Sequence, residues 1–136
     1  MSRCVIISAC PVSASLASAL RPGDTIIACD AGYRNCGPLH CRPDIIVGDF
    51  DTAPCPAQEG DDTIILPHVK DDTDTEYAAK LASEKSFDEA LLLGALGGRR
   101  LEHTLANLCT GLGLEQRGVR TTLLDERSRI TYVMPG

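Results

Sequence analysis

The sequence has no long apolar run, no Cys-x-x-Cys pair, no excess of positive charge and no internal repeat, and each absence removes a class of protein. Its apolar stretches fall far short of the roughly 20 residues that cross a bilayer as a helix. The start, MSRCVIISACPVSASL, has one early Arg and an apolar run of only four residues before Ser8, which is not the core of a signal peptide. A cytoplasmic protein with no membrane partner is expected. The seven cysteines, Cys4, Cys10, Cys29, Cys36, Cys41, Cys55 and Cys109, are odd in number and argue against a disulfide framework or a thioredoxin-like site. Reduced, small, semi-buried residues are the expectation for most of them. Cys36, His40 and Cys41 lie close in sequence, but an adjacent His-Cys lacks the ligand spacing of a zinc site. With 13 basic against 19 acidic residues, the net charge of −6 opposes attraction to a nucleic-acid duplex or an anionic membrane surface, so no nucleic-acid partner is expected.

What is present is the material of one compact domain: 136 residues, 43% of them hydrophobic. Short β-branched and apolar runs predict buried strands at 5–7, 25–28, 45–47, 63–66, 90–93 and 121–124. Helical spacing marks 13–20, 75–83 and 101–116, the last with Leu101, Leu105, Leu108 and Leu112 on one stripe, which predicts a core face. Continuous apolar strands alternating with helices predict an α/β fold, an open, mostly parallel, doubly wound (Rossmann-like) sheet with helices on both faces. Ligands of such sheets lie beyond the carboxyl ends of the strands. Residues 53–62, with two Pro and one Gly, read as the longest loop, and 129–134 as a strand following a turn.

Four segments at predicted strand ends carry chemistry. In Gly48-Asp49-Phe50-Asp51-Thr52 a buried strand runs into Gly and then two carboxylates spaced i, i+2, which point the same way on an extended chain. Hard oxygen ligands of that kind suit Mg²⁺ carrying a phosphate; a solvated turn is the plain alternative. Lys70-Asp71-Asp72-Thr73-Asp74-Thr75-Glu76 precedes a helix. Asp74 or Thr73 would serve as its cap, yet three Asp within four residues repel one another unless a cation sits among them. Gly94-Ala95-Leu96-Gly97-Gly98-Arg99 is a glycine-rich turn before a helix. There Gly97 and Gly98 admit close approach of an anion and Arg99 adds charge-assisted bonds. The segment lacks both the P-loop Gly-Lys-Ser/Thr and the GxGxxG spacing. His103 and Asn107 share a helix face at i, i+4, where a structural histidine is the ordinary case. Cys29-Asp30-Ala31-Gly32 places one more carboxylate after a strand, as a cap would.

Taken in order, Asp30-Ala31-Gly32, Gly48-Asp49-Phe50-Asp51-Thr52, Lys70-Asp71-Asp72-Thr73-Asp74 and Gly94 to Arg99 with His103 and Asn107 resemble the catalytic domain of thiamine pyrophosphokinases over nearly the whole chain. The resemblance implies a domain that binds ATP and Mg²⁺ and is followed by a β-sandwich, usually in a homodimer whose thiamine sites form between subunits. It implies transfer of diphosphate from ATP to the thiamine hydroxyl, leaving AMP. Asp49, Asp51 and Asp71 would hold Mg²⁺, with Asp74 nearby and Asp30 on the nucleotide side. Arg99 and the Gly97 and Gly98 amides would steady the transferred group, one carboxylate would accept the hydroxyl proton, and Lys70, Glu102, His103 and Asn107 complete the nucleotide side. The chain departs from the family pattern at Ala31-Gly32-Tyr33-Arg34-Asn35 and at Glu102, where Asp is usual. On this reading residues 1–128 form the catalytic domain and 129–136 begin a β-sandwich that is missing, as in a truncated chain. Two rivals remain open at this point. One is a haloacid-dehalogenase-like phosphatase built on Asp49-Phe50-Asp51, although Ala53 stands where its Thr or Val belongs. The other is a nucleotide-binding module without turnover.

Overall fold

The computed structural model describes residues 2–48, 64–67, 74–98 and 101–135. Its strands are β1 (Arg3–Ile7), β2 (Thr25–Cys29), β3 (Ile45–Gly48), β4 (Ile64–Pro67), β5 (Glu89–Leu93), β6 (Arg120–Leu124) and β7 (Arg129–Thr131). They form one sheet in the order β4-β3-β2-β1-β5-β6-β7. Every pairing is parallel except that of β6 with β7. The expected open, mostly parallel, doubly wound α/β sheet is what forms. The predicted strand at 63–66 is β4, one residue later; Thr63 and the loop at 53–62 lie outside the described residues.

The strands are apolar on both sides because both sides are covered. From β1, Cys4 and Ile6 face one layer and Val5 and Ile7 the other, all fully buried. The first layer is built by helices α1 (Asp74–Glu84) and α2 (Leu101–Gln116), through Ala78, Ala79, Ala82 and Leu114. The small alanines of α1 let it lie close to the sheet, packed over Ile27, Ile45 and Val47 of the same cluster. The second layer is thinner. It consists of two 3-10 helices, η1 (Ala14–Ala19) and η2 (Asp30–Cys36), and the turn after η2, which contribute Leu16, Cys36 and Leu39. The helical spacing at 13–20 therefore appears as 3-10 turns, opened by Ser13, whose side chain accepts from the Ser15 amide.

One expectation is overturned. The leucine stripe of α2 is not core: Leu101 is 70% exposed, Leu105 53% and Leu112 38%, and only Leu108 packs partly against the buried cluster. The face of α2 turned to the sheet carries Thr104, Asn107, Leu108, Gly111 and Leu114 instead, roughly a quarter-turn around the helix axis. Its seating is set by polar and small residues. Asn107 and Thr104 hydrogen-bond the backbone before the helix, and Gly111 makes room for the ring of Tyr132, whose hydroxyl donates to the Leu108 carbonyl at 2.6 Å.

Six of the cysteines are free thiols: Cys4, Cys29 and Cys36 are buried, Cys10 and Cys41 half-buried and Cys109 exposed. Cys55 lies outside the described residues. Among the described residues, no helix is long and apolar enough to cross a membrane.

Candidate functional site

The strand order reverses at β1. From β1 the chain moves outward through β2, β3 and β4, then returns to place β5 on the other side of β1. The connection leaving β1 passes over one face through η1, and that leaving β5 passes over the other through α2. Two chains that part in this way leave a crevice at the carboxyl end of the sheet, the usual ligand position in such folds.

Hydrogen bonds hold the walls of this crevice. Past the end of the ladder the Ser8 amide donates to Leu93 O at 2.7 Å and the Cys10 amide to Gly94 O at 2.9 Å. Gly94 has φ +68°, and a Cβ there would stand 2.2 Å from Ser8 O, so only glycine lets the two strand ends stay this close. Gly32 plays the matching part in η2, where a Cβ would meet Ile7 O at 2.2 Å. From the same side Asn35, 7% exposed, donates its amide to Ser8 O at 2.8 Å and Cys10 O at 3.0 Å and accepts from the Val12 amide at 3.3 Å. Above β1, the buried Ser8 and Thr75 hydroxyls hydrogen-bond at 2.6 Å, which anchors the first turn of α1 to the crevice. Ser8, Asn35 and Thr75 were not among the residues the sequence singled out as functional. Nothing in the pattern marks Ser8 beyond its place directly after a strand, and Asn35 lies in the segment where the chain departs from the family pattern.

The glycine turn forms one lip. Gly97 and Gly98 are exposed, with φ +80° and +83°. Among the described residues neither of their amides has a partner, which leaves N–H groups available to an anion. The Gly97 carbonyl accepts from Thr104 Oγ1 at 3.0 Å, and Asn107 Nδ2 donates to Ala95 O at 2.9 Å, so α2 clamps the turn. Cys10 Sγ lies 3.7 Å from Gly97 O, and burial pushes its thiol up, keeping it neutral against the turn.

Of the residues expected to act, Asp30 opens η2 at the end of β2, Asp74 opens α1, and Gly97 and Gly98 form the lip; the fold brings these three segments to one end of the sheet. Glu102 and His103 are exposed on the first turn of α2, whereas Asn107 is half-buried with its amide engaged at Ala95, a positioning role. Asp49, Asp51, Lys70, Asp71 and Arg99 lie outside the described residues. Their anchors are described. Gly48, before Asp49, is the register partner of Pro67 in β4, so the segments at 49–52 and 68–73 leave neighbouring strand ends. A cleft of about 240 Å³ between α1 and α2 is lined, among the described residues, by Glu76, Lys80, Cys109, Thr110 and Arg117 with their neighbours, and by none of Asp30, Asp74, Gly97, Gly98, Glu102, His103 and Asn107.

The family model described as thiamin pyrophosphokinase, catalytic domain, matches residues 16–123. A comparison with curated protein sequences gives no match. Among solved structures, the chain is similar to a thiamine pyrophosphokinase from Bacillus subtilis, with TM-score 0.79 at 21% identity, covering 94% of this chain and 62% of that one. The thiamin pyrophosphokinase from Geobacillus thermodenitrificans gives 0.75 at 27% identity, covering 90% and 59%, and that from Candida albicans 0.74 at 17%, covering 95% and 60%. The Bacillus subtilis and Candida albicans likenesses speak for the fold alone. The chain spans about three fifths of the length of these relatives. From the matched span of more than three quarters of its residues, the chain belongs to the thiamin pyrophosphokinase catalytic-domain family, a family of kinases.

Proposed function

We propose that this chain binds ATP with Mg²⁺ in the crevice at the β1–β5 switch point and belongs to a cytoplasmic enzyme that transfers diphosphate from ATP to the hydroxyl of thiamine, releasing AMP. The observation that carries the reading is that a glycine turn, whose amides have no partner among the described residues, and the ends of β3 and β4, which lead into the acidic segments, lie at the same carboxyl end of the sheet. An acidic protein needs such a device, because the substrate is itself a polyanion.

The donor set fits Mg²⁺. Asp49, Asp51 and Asp71 follow neighbouring strand ends and would hold the ion through hard carboxylate oxygens; when bound it would supply positive charge against the phosphates. The remaining work belongs to the chain. The Gly97 and Gly98 amides and Arg99 hold the diphosphate being transferred; Asp30, Lys70, Glu102 and His103 bound the nucleotide side, and Asn107 keeps the turn in place. In the reaction the thiamine oxygen bonds to the β-phosphorus as the bond to the AMP oxygen breaks. One of the carboxylates, with Asp74 among the candidates, accepts the hydroxyl proton. The relatives' chains are longer, and the acceptor site, the β-sandwich and the homodimer that the resemblance implies are parts of this proposal.

The test is calorimetric titration of ATP with Mg²⁺ into this chain and into Asp49→Asn, with AMP release measured in the presence and absence of thiamine. Thiamine-dependent AMP that Asp49→Asn abolishes is the expected result for the active enzyme. ATP binding without AMP favours the second reading, a nucleotide-binding module, which the partial coverage of the relatives supports for the chain alone. Absence of ATP binding overturns both, and a covalent phosphate on Asp49 would revive the phosphatase reading.

A further inference from the structure

The turn that follows η2 brings two cysteines together on the thin face of the sheet. η2 ends at Cys36, and the chain folds straight back: the Leu39 amide donates to Asn35 O at 3.2 Å, the His40 amide to Gly37 O at 3.0 Å and the Cys41 amide to Cys36 O at 3.0 Å. His40 takes φ +53° to complete the reversal. Leu39, 1% exposed, pins the loop into the core beside Cys36, and Cys41 packs against the same cluster from a half-exposed position. The bond between the Cys41 amide and the Cys36 carbonyl closes the loop, so the two residues stand side by side in one cluster. A disulfide requires closely approached backbones, and here the six-residue loop supplies that approach, with both cysteines reduced and packed in the same cluster.

We propose that Cys36 and Cys41 are a redox modification site, a dithiol that a hydroperoxide converts to an intrachain disulfide and that a dithiol reductant restores.

Their inequality gives the order of events. Cys36 is buried and Cys41 half-exposed, so Cys41 is the sulfur that a peroxide reaches, and its nearness to Cys36 holds its thiol below the ordinary value. Cys41 thiolate attacks one peroxide oxygen, the O–O bond breaks, and the departing hydroxide takes a proton to leave as water, with Cys41 now a sulfenic acid. Cys36 sulfur then attacks the Cys41 sulfur, and its proton leaves with the sulfenic hydroxyl as a second water. Two thiols lose two electrons in all, and one peroxide gains them. Because Cys36 directly follows Asn35, whose amide holds Ser8 O and Cys10 O, the new bond forms one residue from the clamp on the switch-point crevice.

The experiment reads thiols, so it stands whether or not the chain binds nucleotide. The reduced protein is treated with one equivalent of hydrogen peroxide, free thiols are alkylated, and peptides are mapped by mass spectrometry before and after dithiothreitol. The expected result is a Cys36–Cys41 disulfide, two hydrogens lighter, that dithiothreitol opens. In Cys36→Ala, Cys41 should accumulate as a sulfenic acid captured by dimedone. In Cys41→Ser, a change at a half-exposed position, Cys36 should stay alkylatable after the same peroxide treatment. Two alkylatable thiols after peroxide, a disulfide to Cys10, Cys55 or Cys109, or conversion of Cys41 to sulfinic acid in the wild type would each overturn the proposal.

Discussion

Replacing Gly94 by alanine tests whether the crevice depends on the close approach of β1 and β5. Two separate effects act there. At φ +68° an alanine carries strain of about 1 kcal/mol relative to glycine. The added Cβ also stands 2.2 Å from Ser8 O and 2.9 Å from Cys10 O, both backbone atoms that no rotamer change can move away. Relieving the contact means parting the strand ends, which strains or breaks the Ser8 to Leu93 and Cys10 to Gly94 hydrogen bonds, each contributing about 1 kcal/mol. The sum is about 3 kcal/mol. Gly97 separates the two effects, because its φ is +80° but nothing lies within 4 Å of a Cβ built on it. Gly97→Ala should therefore show the conformational strain alone, about 1 kcal/mol. Urea unfolding at constant m-value measures both variants. For a chain of this size the Gly94 variant should melt about 10 °C lower and the Gly97 variant about 3 °C lower. Equal losses for the two variants would refute the argument that backbone contact, rather than φ, requires glycine at 94.

Three further outcomes follow from other parts of the fold. Asn35→Ala removes three hydrogen bonds to Ser8 O, Cys10 O and the Val12 amide, and should cost about 3 kcal/mol in urea unfolding while raising the Kd of any crevice ligand. Burial raises the Asp24 carboxyl, but bonds from the Arg3 guanidinium at 2.6 and 3.0 Å and the Arg21 amide at 2.8 Å outweigh it and hold the group below the usual carboxylate range. A carboxyl lowered by folding stabilises above its unfolded value of about 3.9, and that stabilisation is lost as pH falls through the lower folded value. Asp24→Asn should thus be less stable than wild type by about 2 kcal/mol at pH 7, with the gap closing below about pH 4 in thermal melts. On α2, Leu105→Gln should leave stability within about 0.5 kcal/mol, whereas Leu114→Ala should lose about 3 kcal/mol; a large loss from Leu105→Gln would return the leucine stripe to the core.

The sheet was legible because a parallel sheet covered on both faces demands unbroken apolar strands, and Val5 to Ile7, Ile45 to Val47 and Ala90 to Leu93 are runs of that kind. Strand ends were legible for the same reason, and with them the approximate position of Asp30, Asp74 and the glycine turn. What holds those ends together was not. Ser8, Asn35 and Thr75 act through hydrogen bonds between residues 27 and 67 positions apart, and no local period encodes a partner at that distance.

Helix α2 shows how a correct boundary accompanied a wrong face. Its limits at Leu101 and Gln116 matched the helical spacing, yet the four leucines that defined the spacing point largely away from the sheet. Hydrophobic periodicity assumes that the apolar side of a helix is the side that packs. In α2 the inward side is fixed by what the neighbouring turn requires: Thr104 must reach Gly97 O and Asn107 must reach Ala95 O, and Gly111 must leave space for Tyr132. Rotating the helix by a quarter-turn to bury Leu101, Leu105 and Leu112 would break both clamps on the glycine lip of the crevice. The orientation of α2 is therefore set by the candidate site, and the exposed leucines are a consequence of that constraint.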